Sequence, residues 1–130
     1  MKSIKFVITL LLIFSCSAIS ADNMNGKVDF KPDAKNKKVD VFIDNKHFTS
    51  FIYPDNMEKQ VLYPIYTVSG QDITRGFPIN PRPFERTDHP HHVGLWFNFG
   101  DVNGLDFWNN SFAIKWEDKH KYGSIKLNHK

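Results

Sequence analysis

The tetrapeptide HPHH places His89, His91 and His92 almost side by side, with Asp88 before them and Trp96 and Asn98 shortly after. Three imidazoles in so short a stretch suit three kinds of chemistry. The first is metal ligation. In an extended segment residues two apart point the same way, and Pro90 biases His89 toward extended backbone. His89 and His91 would then share a divalent ion, with Glu85, Asp88 or His92 as third ligand and an open position left for chemistry. The second is acid/base work: imidazole titrates near neutrality, and a carboxylate such as Asp88 or Asp101 can set its tautomer. If the extended run continues, His92 shares a face with Trp96 and Asn98, so an imidazole, an indole and an amide would floor a ligand cleft. The third is structural: Arg86, Asp88 and the histidines can bond to one another and pin a loop.

Around this constellation the candidate catalytic groups are His89, His91, His92 and Asp88. The candidate substrate-binding groups are Trp96, Asn98, Arg86 and Asp101. The candidate metal set is His89, His91 and Glu85. Arg75, Arg82 and Arg86 suit an acidic ligand, and equally suit surface pairing with Glu85, Asp72 and Asp88.

The elements that must carry these groups read as β structure with almost no helical periodicity. In KVDVFIDNKHFTSFIY, Val39, Val41 and Ile43 alternate with Asp40 and Phe42. Asp44 and Asn45 then supply a two-residue turn, and His47–Tyr53 forms the second arm of a hairpin. Val61–Val68 reads as another strand. Pro64 cannot donate to a ladder, so this strand belongs at an edge or carries a bulge. Ser69 and Gly70 end it. Pro78, Pro81 and Pro83 stiffen an irregular loop between Gly76 and Arg86. Gly94–Phe99 reads as a strand with Leu95, Phe97 and Phe99 on one face, followed by a turn at Asn103–Gly104. LDFW, FAIKWED and YGSIKLNHK read as further short strands. Lys35, Lys37 and Lys38 read as a solvated turn.

The first 21 residues have the pattern of a secretory signal peptide. Lys2 and Lys5 precede an apolar run from Phe6 to Phe14, too short to span a bilayer stably, and a small-residue tail reaches Ala21. Cleavage after Ala21 gives a periplasmic or extracellular protein. IFSCS, with Cys16, offers a lipoprotein route as the alternative. Cys16 is the only cysteine of the 130 residues, so the mature domain of residues 22–130 holds no internal disulfide. Without Lys2 and Lys5, 15 basic residues face 14 acidic ones, a net of +1 that gives no reason to expect nucleic acid. After the leader no apolar run approaches membrane length, so no integral membrane segment is expected.

The run from Val61 to Ser111, above all HPHHVGLWF and GDVNGLDFW, resembles the bacterial PmoA family, often labelled "methane oxygenase PmoA". That resemblance implies secreted or periplasmic proteins longer than this chain, which would make residues 22–130 the N-terminal part of a larger β-domain. The family label implies oxygenase chemistry. The frequent occurrence of family members beside carbohydrate-processing proteins implies a sugar-related role. The expectation is therefore an all-β protein: an antiparallel β-sandwich, by analogy part of a galactose-mutarotase-like supersandwich. Its expected function is carbohydrate binding or modification in a His-rich cleft. The alternatives are a metal-dependent oxygenase-like enzyme using copper or iron, and a non-catalytic cell-surface module.

Overall fold

The computed structural model describes residues 26–128. The expected leader, Cys16 and the last two residues of the expected final strand lie outside the described residues. Four strands form one antiparallel sheet in chain order: β1 (Val28–Asp33), β2 (Lys38–Ile43), β3 (Lys46–Ile52) and β4 (Val61–Ile65). The all-β expectation holds, and the described residues form this single sheet. Among them, no helix is long and apolar enough to cross a membrane.

Local chemistry explains the hairpins. Asp44 and Asn45 both take positive φ, 48° and 64°, which is the backbone a two-residue turn between right-twisted strands needs. The Asp44 carboxylate also accepts hydrogen bonds from the Gly26 and Lys27 amides, at 3.1 and 3.0 Å, and so clips the start of β1 to the β2–β3 turn. Between β1 and β2, Asp33 accepts from the Asn36 amide and side chain at 3.1 and 2.7 Å, closing the lysine-rich turn. β1 was not read from the sequence; Pro32 and the polar VDFKPD pattern hide it, and it lies at the sheet edge where both are tolerated. β4 lies at the opposite edge, as Pro64 requires, and the β3–β4 register shifts between Thr49 and Phe51.

Lys59, Val61 and Tyr63 are all buried, each two residues from the next, so one face of the β4 segment points inward. Val61 and Tyr63 pack with Val93, and Ile52, Met57 and Trp96 close around them. This small core sits where β4 meets the segment that follows the histidines. That meeting is a two-bond exchange: the Leu62 amide donates to the Leu95 carbonyl at 2.8 Å, and the Leu95 amide returns a bond to Leu62 at 3.0 Å.

Past β4 the chain departs from its sequence pattern. Gly94–Phe99 is not a strand; only Leu95 bridges to β4. The alternation is nonetheless present, with Leu95, Phe97 and Phe99 exposed and Trp96 and Asn98 turned inward. LDFW holds isolated bridges, and FAIKWED gives way to a 3-10 helix at Trp116–Lys121. Residues 123–128 form no strand; Ile125 runs beside the β3–β4 connection, its amide donating to Glu58 at 2.9 Å and its carbonyl accepting from Gln60 at 3.0 Å. The physical reason is common to all three. A strand needs a neighbour to pair with over several residues, and here these backbones make only single bridges, isolated bonds to other backbone and tight turns. Asn103 and Gly104, at φ 55° and 81°, make the expected turn, closed by Val102 and Leu105.

Gly94 is a point of close approach between this segment and β4. Its φ is +51°, and a Cβ there would stand 2.6 Å from the Leu62 carbonyl oxygen and 3.1 Å from Tyr63 Cβ. Gly94→Ala should lower the thermal midpoint by an amount equivalent to about 1–3 kcal/mol. Gly100→Ala, where a Cβ meets nothing within 4 Å, should leave it unchanged; equal midpoints for the two variants would show that the close approach to β4 carries no weight.

Candidate functional site

The three histidines come together through a turn rather than an extended run. His89 has φ 49°, the left-handed region. Pro90 follows at the second position of a β-turn closed by the His92 amide on the His89 carbonyl at 2.9 Å. The expected extended geometry of His89 is thus corrected: the turn, with proline at its favoured position, folds HPHH back on itself. A non-glycine residue at positive φ costs about 1 kcal/mol or more, a cost offset here by the brace around the loop. Ring centroids lie 5.6 Å apart for His89 and His91, 4.9 Å for His89 and His92, and 4.3 Å for His91 and His92. One nitrogen from each ring falls within 4.8 Å of the other two.

Donors on one tetrahedral zinc-like ion stand about 3.3 Å apart, from metal–nitrogen bonds of about 2.05 Å. The nitrogens as they stand are therefore at most about 1.5 Å farther apart than such an ion requires. Burial pushes the His91 pKa down, and His92, Lys59 and His89 nearby push it further. His92 is lowered by burial and then by His89 and Arg75. Both effects favour the neutral imidazole, the form that offers a lone pair.

The third member of the set is His92, not Glu85. Glu85 is spent on its own loop: its carboxylate accepts from the amides of Gly76 at 2.6 Å, Phe77 at 2.9 Å and Arg82 at 3.2 Å. Asp88 stands beside the cluster, 3.7 Å from His89, and pairs with Arg86 at 2.7 Å. Arg75 reaches the carbonyls of both Arg86 and Asp88 and so clamps the strand of loop that leads into the histidines. Arg82 pairs with Asp72 at 2.6 Å. The arginines therefore serve mainly as braces, and Arg86 keeps an exposed side chain.

Two indoles form the other wall. His92 stacks near Trp96 at 5.8 Å and stands edge-on to Trp108 at 6.4 Å; the two indoles are 5.5 Å apart. Trp96 is half-buried, and its Nε1 donor is buried with no acceptor among the described residues. Trp108 is the more exposed ring. Asn98 is turned to structure: its amide donates to the Phe107 carbonyl at 2.8 Å and its oxygen accepts from the Phe99 amide. Asp101 caps the following turn through the Gly104 amide at 2.8 Å. The expected grouping of His92 with Trp96 holds; neither Asn98 nor Asp101 contributes a free polar group to it.

Two members were missed in the sequence. Trp108 was hidden in a supposed strand. Lys59 is 4% exposed, donates to the Trp108 carbonyl at 2.9 Å and lies 5.4 Å from the Trp96 ring centre. Burial lowers its pKa to about 8, against the opposing pull of Asp106 and Glu58. The signal was present: Lys59 has the same parity as Val61 and Tyr63, so a strand begun early puts it on the core face.

A family of unknown function, DUF6807, has a sequence model that matches residues 38–129, and the chain belongs to that family. No curated protein and no solved structure matches the chain.

Glu85 holds three amides of the proline loop, so Glu85→Ala should leave three donors without that acceptor. An unsatisfied buried donor costs about 1–3 kcal/mol. Trypsin should then cut faster after Arg86 under native conditions; Arg82 is protected in any case by Pro83. Unchanged cleavage would show that the prolines alone hold the loop.

Proposed function

We propose that this member of DUF6807 is a metal-dependent enzyme with a mononuclear divalent-metal centre on His89, His91 and His92, acting on carbohydrate at the aromatic wall beside it. The observation that carries the reading is the convergence of three imidazole nitrogens within 4.8 Å of one another in a turn braced by Arg75 and Glu85. A bound divalent ion would supply Lewis acidity and a water of lowered pKa. The chain's own residues do the rest. The turn presents three imidazoles, two of which, His91 and His92, burial biases toward the neutral form; Asp88 stands 3.7 Å from His89 to orient its ring, and the Trp96–Trp108 pair shields one side from water. The exposed face of Trp108 offers a flat apolar surface for the C–H face of a sugar ring.

The resemblance to the PmoA family makes copper or iron oxygenase chemistry one form of this proposal, since three imidazoles suit those ions as well as zinc. Secretion through the leader, and completion of the sheet into a galactose-mutarotase-like supersandwich, belong to the same proposal. The exposed apolar side formed by Leu95, Phe97 and Phe99 supports a second layer.

The metal test is direct. Purified full chain, loaded separately with Zn, Cu, Fe and Mn and dialysed, should retain one ion per chain, and His89→Ala/His91→Ala should retain none. Loading with copper should also quench the indole fluorescence, because His92 stacks on Trp96. Absence of stoichiometric metal under every loading condition would overturn the centre and leave a non-catalytic module. For the sugar wall, Trp108→Ala should weaken binding by about 2 kcal/mol if the ring is covered by ligand; unchanged binding would remove Trp108 from the site.

A further inference from the structure

Beside the histidine turn lies a cleft of about 470 Å³, a size that suits one small ligand. Its walls are mostly apolar: Phe77 and Pro78 from the proline loop, Pro90 from within the histidine turn, Val93 just after it, and Phe112. Phe77 and Phe112 meet edge to face at 6.4 Å. Five polar residues also line it: Asn56, Glu58, Lys59, Asn110 and Ser111.

The charges among these do not balance. Glu58 is taken by Lys119 at 2.5 Å and by the Ser124 hydroxyl at 2.9 Å. Lys119 also donates to the Asn110 side-chain oxygen and the Ser111 carbonyl, at 3.2 and 2.9 Å. The Asn110 amide donates to the Gly123 carbonyl at 2.8 Å. Glu58 and Lys119 thus cancel within a saturated network. Lys59 is left over. An ammonium has three donors; one goes to the Trp108 carbonyl, the Trp96 face draws the charge, and no carboxylate forms an ion pair with it among the described residues. Asp106, the nearest acid in electrostatic terms, is occupied by the Asn109 amide and side chain at 2.9 and 2.7 Å. A buried amine with two donors to spare, lining a mostly apolar cleft, is a poor structural element, because burying an unpaired charge costs far more than burying an apolar side chain.

We propose that this cleft binds a small ring compound bearing a carboxylate, whose oxyanion pairs with Lys59 while its ring fills the apolar space between Phe77, Pro90 and Phe112. The pairing supplies the counter-charge that Lys59 lacks and takes up its remaining donors. Two sources share this chemistry, a uronic acid and an aromatic acid. The inference goes beyond the metal reading and stands without it, since none of the residues invoked is a histidine of the turn.

The test is calorimetric and fluorescence titration of the full chain with galacturonate, galactose, benzoate and benzyl alcohol, in the presence of EDTA so that metal contributes nothing. At least one acid should bind tenfold or more tighter than its neutral counterpart. Preference for galacturonate identifies a sugar acid, and preference for benzoate identifies an aromatic one. Lys59→Met should abolish the preference without weakening the neutral ligand, while Lys59→Arg should keep part of it. If Lys59→Met does not fold, the wild-type protein decides: both acids stay ionised, so the preference should fade as Lys59 loses its proton around pH 8. Equal binding of acid and neutral ligand, no binding of either acid, or a preference that survives undiminished to pH 10 would each overturn the proposal.

Discussion

The exchange of two backbone hydrogen bonds between Leu62 and Leu95 is the constraint on which the rest depends. β4 is an edge strand, and an edge leaves a row of amides and carbonyls unpaired. The chain satisfies part of that row with its own later segment. In doing so it brings Val93 onto Val61 and Tyr63, and lays Trp96 over Lys59. Gly94 permits the approach, because any side chain there would press on the Leu62 carbonyl. The histidine turn therefore hangs directly from the small core, separated from the bridge by only two residues.

The proline-rich loop on the other side of the histidines is held differently. It has little apolar surface to bury, and its prolines cannot offer amides. Polar braces take over: Glu85 gathers three amides, Arg75 clamps two carbonyls, and Arg82 ties back to Asp72 and Thr74. Such bonds are directional. They fix where each residue sits more sharply than a small apolar core could, which suits a loop that must hold a histidine at positive φ.

Lys59 connects the site and the cleft: it lies over Trp96 and bonds to the Trp108 carbonyl, and it also lines the cleft. The saturated Glu58–Lys119 network borders the same cleft and joins residues distant in sequence, from Glu58 to Ser124. The two lysines differ in that Lys119 has a carboxylate partner and the more deeply buried Lys59 has a carbonyl and no carboxylate among the described residues.

Much of the sheet was legible in residue types. Asp44–Asn45 and Asn103–Gly104 call for positive φ, alternation marks β2 and β3, and Pro64 sends β4 to an edge. The inward turn of Trp96 against Leu95 and Phe97 was legible as well, although no strand forms there. What could not be read was whether each apolar alternating stretch would find a partner. Residues 105–128 have strand-like composition but form only isolated bridges, turns and a 3-10 helix, and pairing across long separations is a property of the whole fold. The histidine turn was misread for a related reason: Pro90 is compatible with an extended run and with a turn, and only the braces from Arg75 and the bond from His92 to His89 choose between them. By itself the sequence determined the β2–β3 hairpin, the restriction of β4 to an edge or a bulged strand and the clustering of His89, His91 and His92, because these follow from steric limits on a few adjacent residues. The tertiary structure alone decided that Glu85 serves the loop, that Trp108 joins Trp96, and that Lys59 is buried without a carboxylate, because each depends on what another part of the chain brings within hydrogen-bonding distance.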